Sequence, residues 1–313
     1  MKMKTLCLLL AIALLCLSPA ALAQDDAPLR VGALKGPTAM GLVMLMEEDQ
    51  GNDYAFTLAA SPDALLPSLV RGELDLACLP ANLAAILATN TDGAIRVVAI
   101  NTLGVLYILE RGERLRSLSD LAGRSLYASG KASTPEYTLN HLLTQAGVEG
   151  VDVQWKSEHA EALAALLLDP DGAALLPQPF VAAALRQNPD IRVALDLNAL
   201  WEQLGQGPMV TGVTVARAGF ITQQPQRLAT FLSAYQASVD AVRANPQQAA
   251  RLIGQAGIIN EQVALDALPY CGITLITGQP MVDTLHAFYS ALYAQDAQSV
   301  GGSLPGEDFY YQP

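Results

Sequence analysis

The chain of 313 residues predicts an α/β protein of two lobes, each a mostly parallel sheet flanked by helices, with two hinge crossings between them. Three observations carry this reading. Short apolar runs alternate with helical stretches from Arg30 to Leu109, and the alternation restarts after Arg111. Strands that alternate with helices build parallel sheets through right-handed crossovers. An internal echo, RGELDLACLPANLAAIL from Arg71 and LDPDGAALLPQPFVAAA from Leu168, repeats turn, apolar strand, Leu-Pro and apolar helix in the same order. Finally, the Gly-rich and then β-rich stretch Gly205 to Arg217 supplies a return crossing.

Residues 1–23 read as a secretory signal peptide: Lys2 and Lys4, an apolar core from Leu6 to Leu17, and Ala21-Leu22-Ala23 before Gln24. The segment is too short and wrongly flanked to anchor in a membrane. Cys16 makes a poor lipidation site because Leu15 before it is not small. The expected division is then 24–106 with 213–313 in lobe one, and 107–212 in lobe two. Removing Lys2 and Lys4 takes Lys+Arg from 18 to 16 against 30 Asp+Glu, a net charge of −14. So acidic a chain, without a basic patch, excludes nucleic-acid binding and attraction to an anionic membrane. Of four cysteines, Cys78 and Cys271 remain. They either pair in an oxidising compartment or lie buried as thiols.

The elements follow in order. Val31 to Leu34 is a strand, Gly36-Pro37 turns, and Thr38 is expected to N-cap an apolar helix running to Glu48. Tyr54 to Ala59 is a strand, and Ser61-Pro62-Asp63 opens a helix to Val70. Strand Leu74 to Leu79, helix Pro80 to Ala88 and strand Ile95 to Thr102 follow. Leu103 to Arg111 continues extended, with a crossing near Tyr107. Ser117-Leu118-Ser119-Asp120 fits a capping box. Arg124 to Ser129 is a strand, and Gly130 to Glu136 repeats the opening theme of small residues, lysine, hydroxyls, proline and helix. Strands at Val151 to Lys156, Ala173 to Leu176 and Ile191 to Leu197 alternate with helices at Ser157 to Leu168 and Phe180 to Gln187. A second crossing is expected near Thr211. The tail is helical over Gln226 to Val242, Gln247 to Ala256 and Pro280 to Ala294, and ends in a loop pinned by Phe309, Tyr310 and Tyr311.

Leader, two alternating lobes, two crossings and a helical tail resemble the periplasmic substrate-binding proteins of ABC importers. The chain is most similar to the nitrate, sulfonate, taurine and thiamine-precursor group, with the type II fold. The segments that carry this are LKGPTAMG from Leu34, LVRGELDLACLPANLAAIL from Leu69, SLSDLAGRSLYASGKASTPEY from Ser117 and LLPQPFVAAAL from Leu175. The resemblance implies a small solute caught between closing lobes and delivered to an ABC permease and its ATPase at the inner membrane. It implies a periplasmic monomer with no cofactor. Two alternatives stand: an enzyme of vitamin or quinone biosynthesis on the same fold, or a periplasmic sensor partner.

Lys35 and Lys131 follow the first strand of each lobe, where they would meet across the cleft and neutralise an anionic group. Gly36 and Thr38 share the first loop, and Ser133 and Thr134 the second. Asn82, Thr102 and Gln178 fall at strand ends or helix starts, where polar groups orient ligands. Ser61, Ser133 and Thr134 are expected to cap helices first and touch ligand second. His141, His159 and His286 share no spacing and read as surface or helix-end residues, not catalytic or metal-ligating ones. Met40, Met44 and Met46 read as core. No phosphate-binding loop, nucleophile elbow or zinc-protease helix is present, so neither catalysis nor a metal site is expected.

Overall fold

The computed structural model describes residues 27–312, so the leader and Cys16 lie outside the described residues. The elements are β1 Leu29–Leu34, α1 Pro37–Met40, α2 Val43–Asp49, β2 Tyr54–Ala59, α3 Leu66–Val70, β3 Leu76–Pro80, α4 Ala81–Asn90, β4 Ile95–Leu103 and β5 Leu106–Arg111. They continue with β6 Ser125–Ser129, α5 Thr134–Gln145, β7 Asp152–Lys156, α6 His159–Leu168, β8 Ala173–Pro177, α7 Phe180–Gln187, β9 Ile191–Asp196 and α8 Leu197–Gln203. The last are β10 Val210–Arg217, α9 Ala218–Gln223, α10 Pro225–Ala244, α11 Pro246–Gln255, α12 Glu261–Ala267, β11 Ile273–Ile276 and α13 Gly278–Gln295.

Two mixed sheets result, ordered β11-β4-β10-β3-β1-β2 and β7-β6-β8-β5-β9. In the first, β1 is parallel to β2 and β3, while β10 runs antiparallel between β3 and β4. In the second, β6 is parallel to β7 and β8, while β5 runs antiparallel between β8 and β9. The two reversed inner strands, β5 and β10, are those the chain enters from the other sheet. A strand arriving from the neighbouring lobe must start at the edge where the parallel strands end. Leu106 accordingly faces Pro177, and Gly212 faces Pro80 and Thr102. The carboxyl ends of the parallel strands in each sheet therefore point at the other sheet.

The first crossing is one short link. A Cβ on Gly104 would lie 2.2 Å from Asn198 Oδ1. Asn198 cannot easily yield, because Oδ1 accepts from Leu106 N at 3.2 Å and Nδ2 donates to Asp196 Oδ1 at 2.7 Å. Gly104→Ala is expected to lower stability by roughly 1–3 kcal/mol through overpacking. A urea titration should show this, and Asn198→Ala should not rescue it, because Asn198 Cβ would still lie 2.8 Å from the added methyl.

The apolar stretch after Pro37 is not the single Thr38-capped helix expected from the sequence. It breaks into α1 and α2 because Ser238 of α10 inserts into the ladder. Its hydroxyl donates to Gly41 O at 2.7 Å and accepts from Leu45 N at 3.1 Å, replacing the direct bond between them. The helix after Ser61 likewise shortens to a 3₁₀ turn at Pro62–Ala64 and then α3. The capping box at Ser117 and Asp120 is present, as a 3₁₀ turn at Leu118–Leu121. Met40 and Met44 are buried and Met46 packs against the same cluster. Phe309 and Tyr310 are buried and Tyr311 N bonds Val97 O at 2.9 Å, which pins the tail to β4. Cys78 and Cys271 are buried free thiols. No helix among the described residues is long and apolar enough to cross a membrane.

Candidate functional site

Loops from both sheets converge on the space between them. From the first sheet come Lys35 and Gly36 after β1, Ser61 after β2, Asn82 at the start of α4 and Thr102 near the end of β4. From the second come Ser129 at the end of β6, Gly130 to Thr134 leading into α5, His159 at the start of α6, and Gln178 and Phe180 between β8 and α7.

The lobes meet directly at Asn82, which is wholly buried. Its Oδ1 accepts from Thr134 Oγ1 at 3.1 Å, and its Nδ2 donates to Ala132 O at 3.5 Å and to Ser299 O at 3.4 Å. Thr102 is turned inward instead. Its hydroxyl donates to Asn101 Oδ1 at 2.9 Å, Asn101 Nδ2 donates to Thr214 Oγ1 at 3.0 Å, and Cys78 Sγ lies 3.5 Å from that hydroxyl. Burial pushes the Cys78 thiol up to about 11, so it is a neutral member of this network. Gln178 is also buried: its backbone N donates to Val105 O at 2.9 Å, and Oε1 accepts from Ala182 N at 3.3 Å. The Gln178–Pro179 peptide is cis.

The lysine loops are more open. Lys35 and Lys131 are exposed side chains at the two cleft edges. Gly36 is buried, at a φ of 147° that favours glycine, and begins α1. Thr38 is half-buried and does not cap; its hydroxyl bonds back to Leu34 O at 2.9 Å. Ser61 and Ser133 occupy N-cap positions with extended backbone, but their side chains make no capping bond, contrary to the sequence expectation. At α5 the first-turn Glu136 instead reaches back past the N-cap, its carboxylate accepting from Ala132 N at 2.5 Å.

One histidine, His141, is placed differently from its sequence expectation, while His159 opens α6 as a helix-end residue. His141 on α5 is buried, with Nε2 against Gln206 Oε1 at 2.9 Å and its ring 5.0 Å from Trp201. His159 lies in the cleft wall, its Nδ1 in a short hydrogen bond with Ser129 Oγ and its ring 5.3 Å from Phe180. His286 is exposed. Sequence reasoning missed the Ser129–His159–Phe180 group because its members come from three separate strand–helix connections. The one legible signal was a histidine just past Ser157-Glu158 at a helix start. Among the described residues no cluster of three His, Cys, Asp or Glu could hold a metal.

Desolvation takes His159 down to about 4, and desolvation also lowers His141 despite the Gln206 bond. Both folded values lie below the unfolded value near 6.5, so the unfolded chain binds more protons in that window. Stability is therefore expected to fall as pH drops from about 6.5 toward 4. His159→Gln, which cannot titrate, should flatten that slope in denaturant midpoints measured against pH.

The fold is shared with solved binding proteins. An ABC transporter structure from Parabacteroides distasonis aligns with TM-score 0.77 at 21% identity, covering 92% of this chain and 99% of that one. The periplasmic aliphatic sulphonate binding protein SsuA from Escherichia coli aligns at 0.73 and 19%, covering 92% of each. The alkanesulfonate-binding SsuA from Xanthomonas axonopodis pv. citri, bound to MOPS, aligns at 0.69 and 18%, covering 87% and 94%. At these identities the likeness is one of fold: the chain has the two-lobed type II architecture of periplasmic substrate-binding proteins. No curated protein sequence matches it. A family profile described as menaquinone biosynthesis matches residues 29–267. That match spans most of the chain, which belongs to the menaquinone-biosynthesis family.

Proposed function

We propose that the protein is the extracytoplasmic solute-binding component of an ABC import system. It holds a small organic solute between 24–106 with 213–313 on one side and 107–212 on the other, and hands it to a permease. The carrying observation is the direction of the strands: the carboxyl ends of β1 to β4 and of β6 to β9 face one another across two crossings. In open α/β sheets ligands bind at such edges. The Asn82–Thr134 bond marks where the lobes touch when close. The expected contacts are Lys35, Gly36, Thr38, Ser61 and Asn82 from one lobe, with Lys131, Ser133 and Thr134 from the other; Thr102 and Gln178 support the cleft from beneath. Residues 1–23 would deliver the chain to the periplasm, where it works as a monomer without a cofactor.

The family match favours a second reading, an enzyme of menaquinone biosynthesis on this fold. A leader argues against it if that chemistry is cytoplasmic. Turnover separates the two.

A thermal-shift screen with sulfonates, nitrate, amino acids and pyrimidines tests the proposal. If the best ligand is an anion, Lys35→Ala or Lys131→Ala should weaken it about tenfold or more, since a charge-assisted hydrogen bond contributes roughly 1.5–3 kcal/mol. The lysines must supply most of this: α1 spans only Pro37–Met40, and Glu136 already occupies the start of α5. Unchanged calorimetric affinity in both variants would remove them from the site.

A further inference from the structure

Ser129 is buried at 1% exposure, at the last position of β6, and its hydroxyl has His159 Nδ1 as its hydrogen-bond partner. A buried hydroxyl proton left without an acceptor is costly. Ser129 therefore donates to Nδ1, which leaves the imidazole proton on Nε2. Nε2 has no partner among the described residues, and His159 as a residue is not fully buried. No carboxylate pairs with this ring, so the imidazole is uncharged near neutral pH. The Phe180 ring lies 5.3 Å from it at an interplanar angle of 49°. Two tilted rings make an apolar corner with one N–H at its edge. The strand direction places this corner at the edge of the second sheet that faces the first.

We propose that His159, oriented by Ser129 and backed by Phe180, is a further ligand-contact group of the second lobe, donating Nε2–H to an oxygen acceptor on a flat, largely apolar organic solute. The inference rests on the cleft being a solute site and names the ligand class that this wall suits. A lysine edge alone would take any small anion. The His159–Phe180 corner adds selection for a flat apolar body: the rings, 5.3 Å apart, touch each other, so a solute lays one face against their outer surface beside the N–H.

The test uses the full mature chain and three probes: benzoate, which is flat with oxygen acceptors; methanesulfonate, which is an anion without a flat body; and benzylammonium, which is flat without an acceptor. In the free protein, a long-range proton–nitrogen NMR spectrum should show His159 protonated at Nε2, and Ser129→Ala should mix the tautomers. Benzoate should shift the His159 ring signals and bind more tightly than either other probe. His159→Ala should weaken benzoate at least tenfold, and His159→Gln, whose amide can still donate, should recover part of that loss. Equal benzoate affinity in wild type and His159→Ala, undisturbed His159 signals, or no binding of benzoate would overturn the inference. A screened ligand that binds both proteins equally would sink this contact while leaving solute binding intact. Turnover of a ligand that still needs His159 would sink the binding-protein reading while leaving the contact.

Discussion

Trp201→Ala is expected to lower the unfolding free energy by about 3–5 kcal/mol, the range for deleting a large buried aromatic. Trp201 is fully buried on α8, the helix that leads out of the second sheet toward the return crossing. Its ring lies 5.0 Å from His141 on α5 and 5.4 Å from Phe288 on α13. It therefore joins a helix that follows a strand of the second sheet to a helix of the chain's tail. The loss should also loosen the two lobes against each other, seen as a larger radius of gyration in X-ray scattering. Trp201→Phe keeps most of the apolar contact and should cost less. A variant that melts like wild type would mean that this contact does not couple the lobes.

Glu110→Ala is expected to cost about 3–5 kcal/mol, because removing one partner of a buried ion pair leaves uncompensated charge. Glu110 lies on β5 with no exposure, bonded to Arg192 and within 3.5 Å of Arg124 Nη1, and it accepts from Leu115 N at 2.9 Å. Arg124 Nη1 is itself buried with no hydrogen-bond partner and faces this carboxylate, while Nη2 of the same guanidinium donates to Asp171 O at 3.0 Å. Glu110→Gln keeps an acceptor for Leu115 but loses the charge, and should fall between alanine and wild type. Chemical denaturation checks both. A cost below about 1 kcal/mol for the alanine variant would place the pair with surface ion pairs.

The two-lobe architecture was legible because it depends on periodicity, which short apolar runs and Leu-Pro stops carry plainly. Helix α7, Phe180–Gln187, was read to the residue, since Pro179 and Asn188 bracket a continuous apolar segment. The break between α1 and α2 was not legible, because it is made by Ser238, nearly two hundred residues away in the sequence. Helices α8 and α12 were missed although each carries a local signal: Asp196 accepts from Asn198 N and Ala199 N, and Asn260 from Gln262 N and Val263 N. Both are short, and their caps resemble ordinary turn residues. At the site, sequence could place loops at strand ends but could not tell which polar groups turn inward. Thr102 and Gln178 are engaged beneath the cleft, and the Ser129–His159–Phe180 group exists only once three connections are folded together.

The most direct test incubates the purified mature protein with the tightest solute from the screen, then recovers that solute by liquid chromatography and mass spectrometry after many hours. One equivalent recovered chemically unchanged is the predicted result, because a binding protein closes on its ligand and releases it intact. Conversion of the solute in excess of one equivalent would contradict the account and assign the chain to the enzymatic branch of its family.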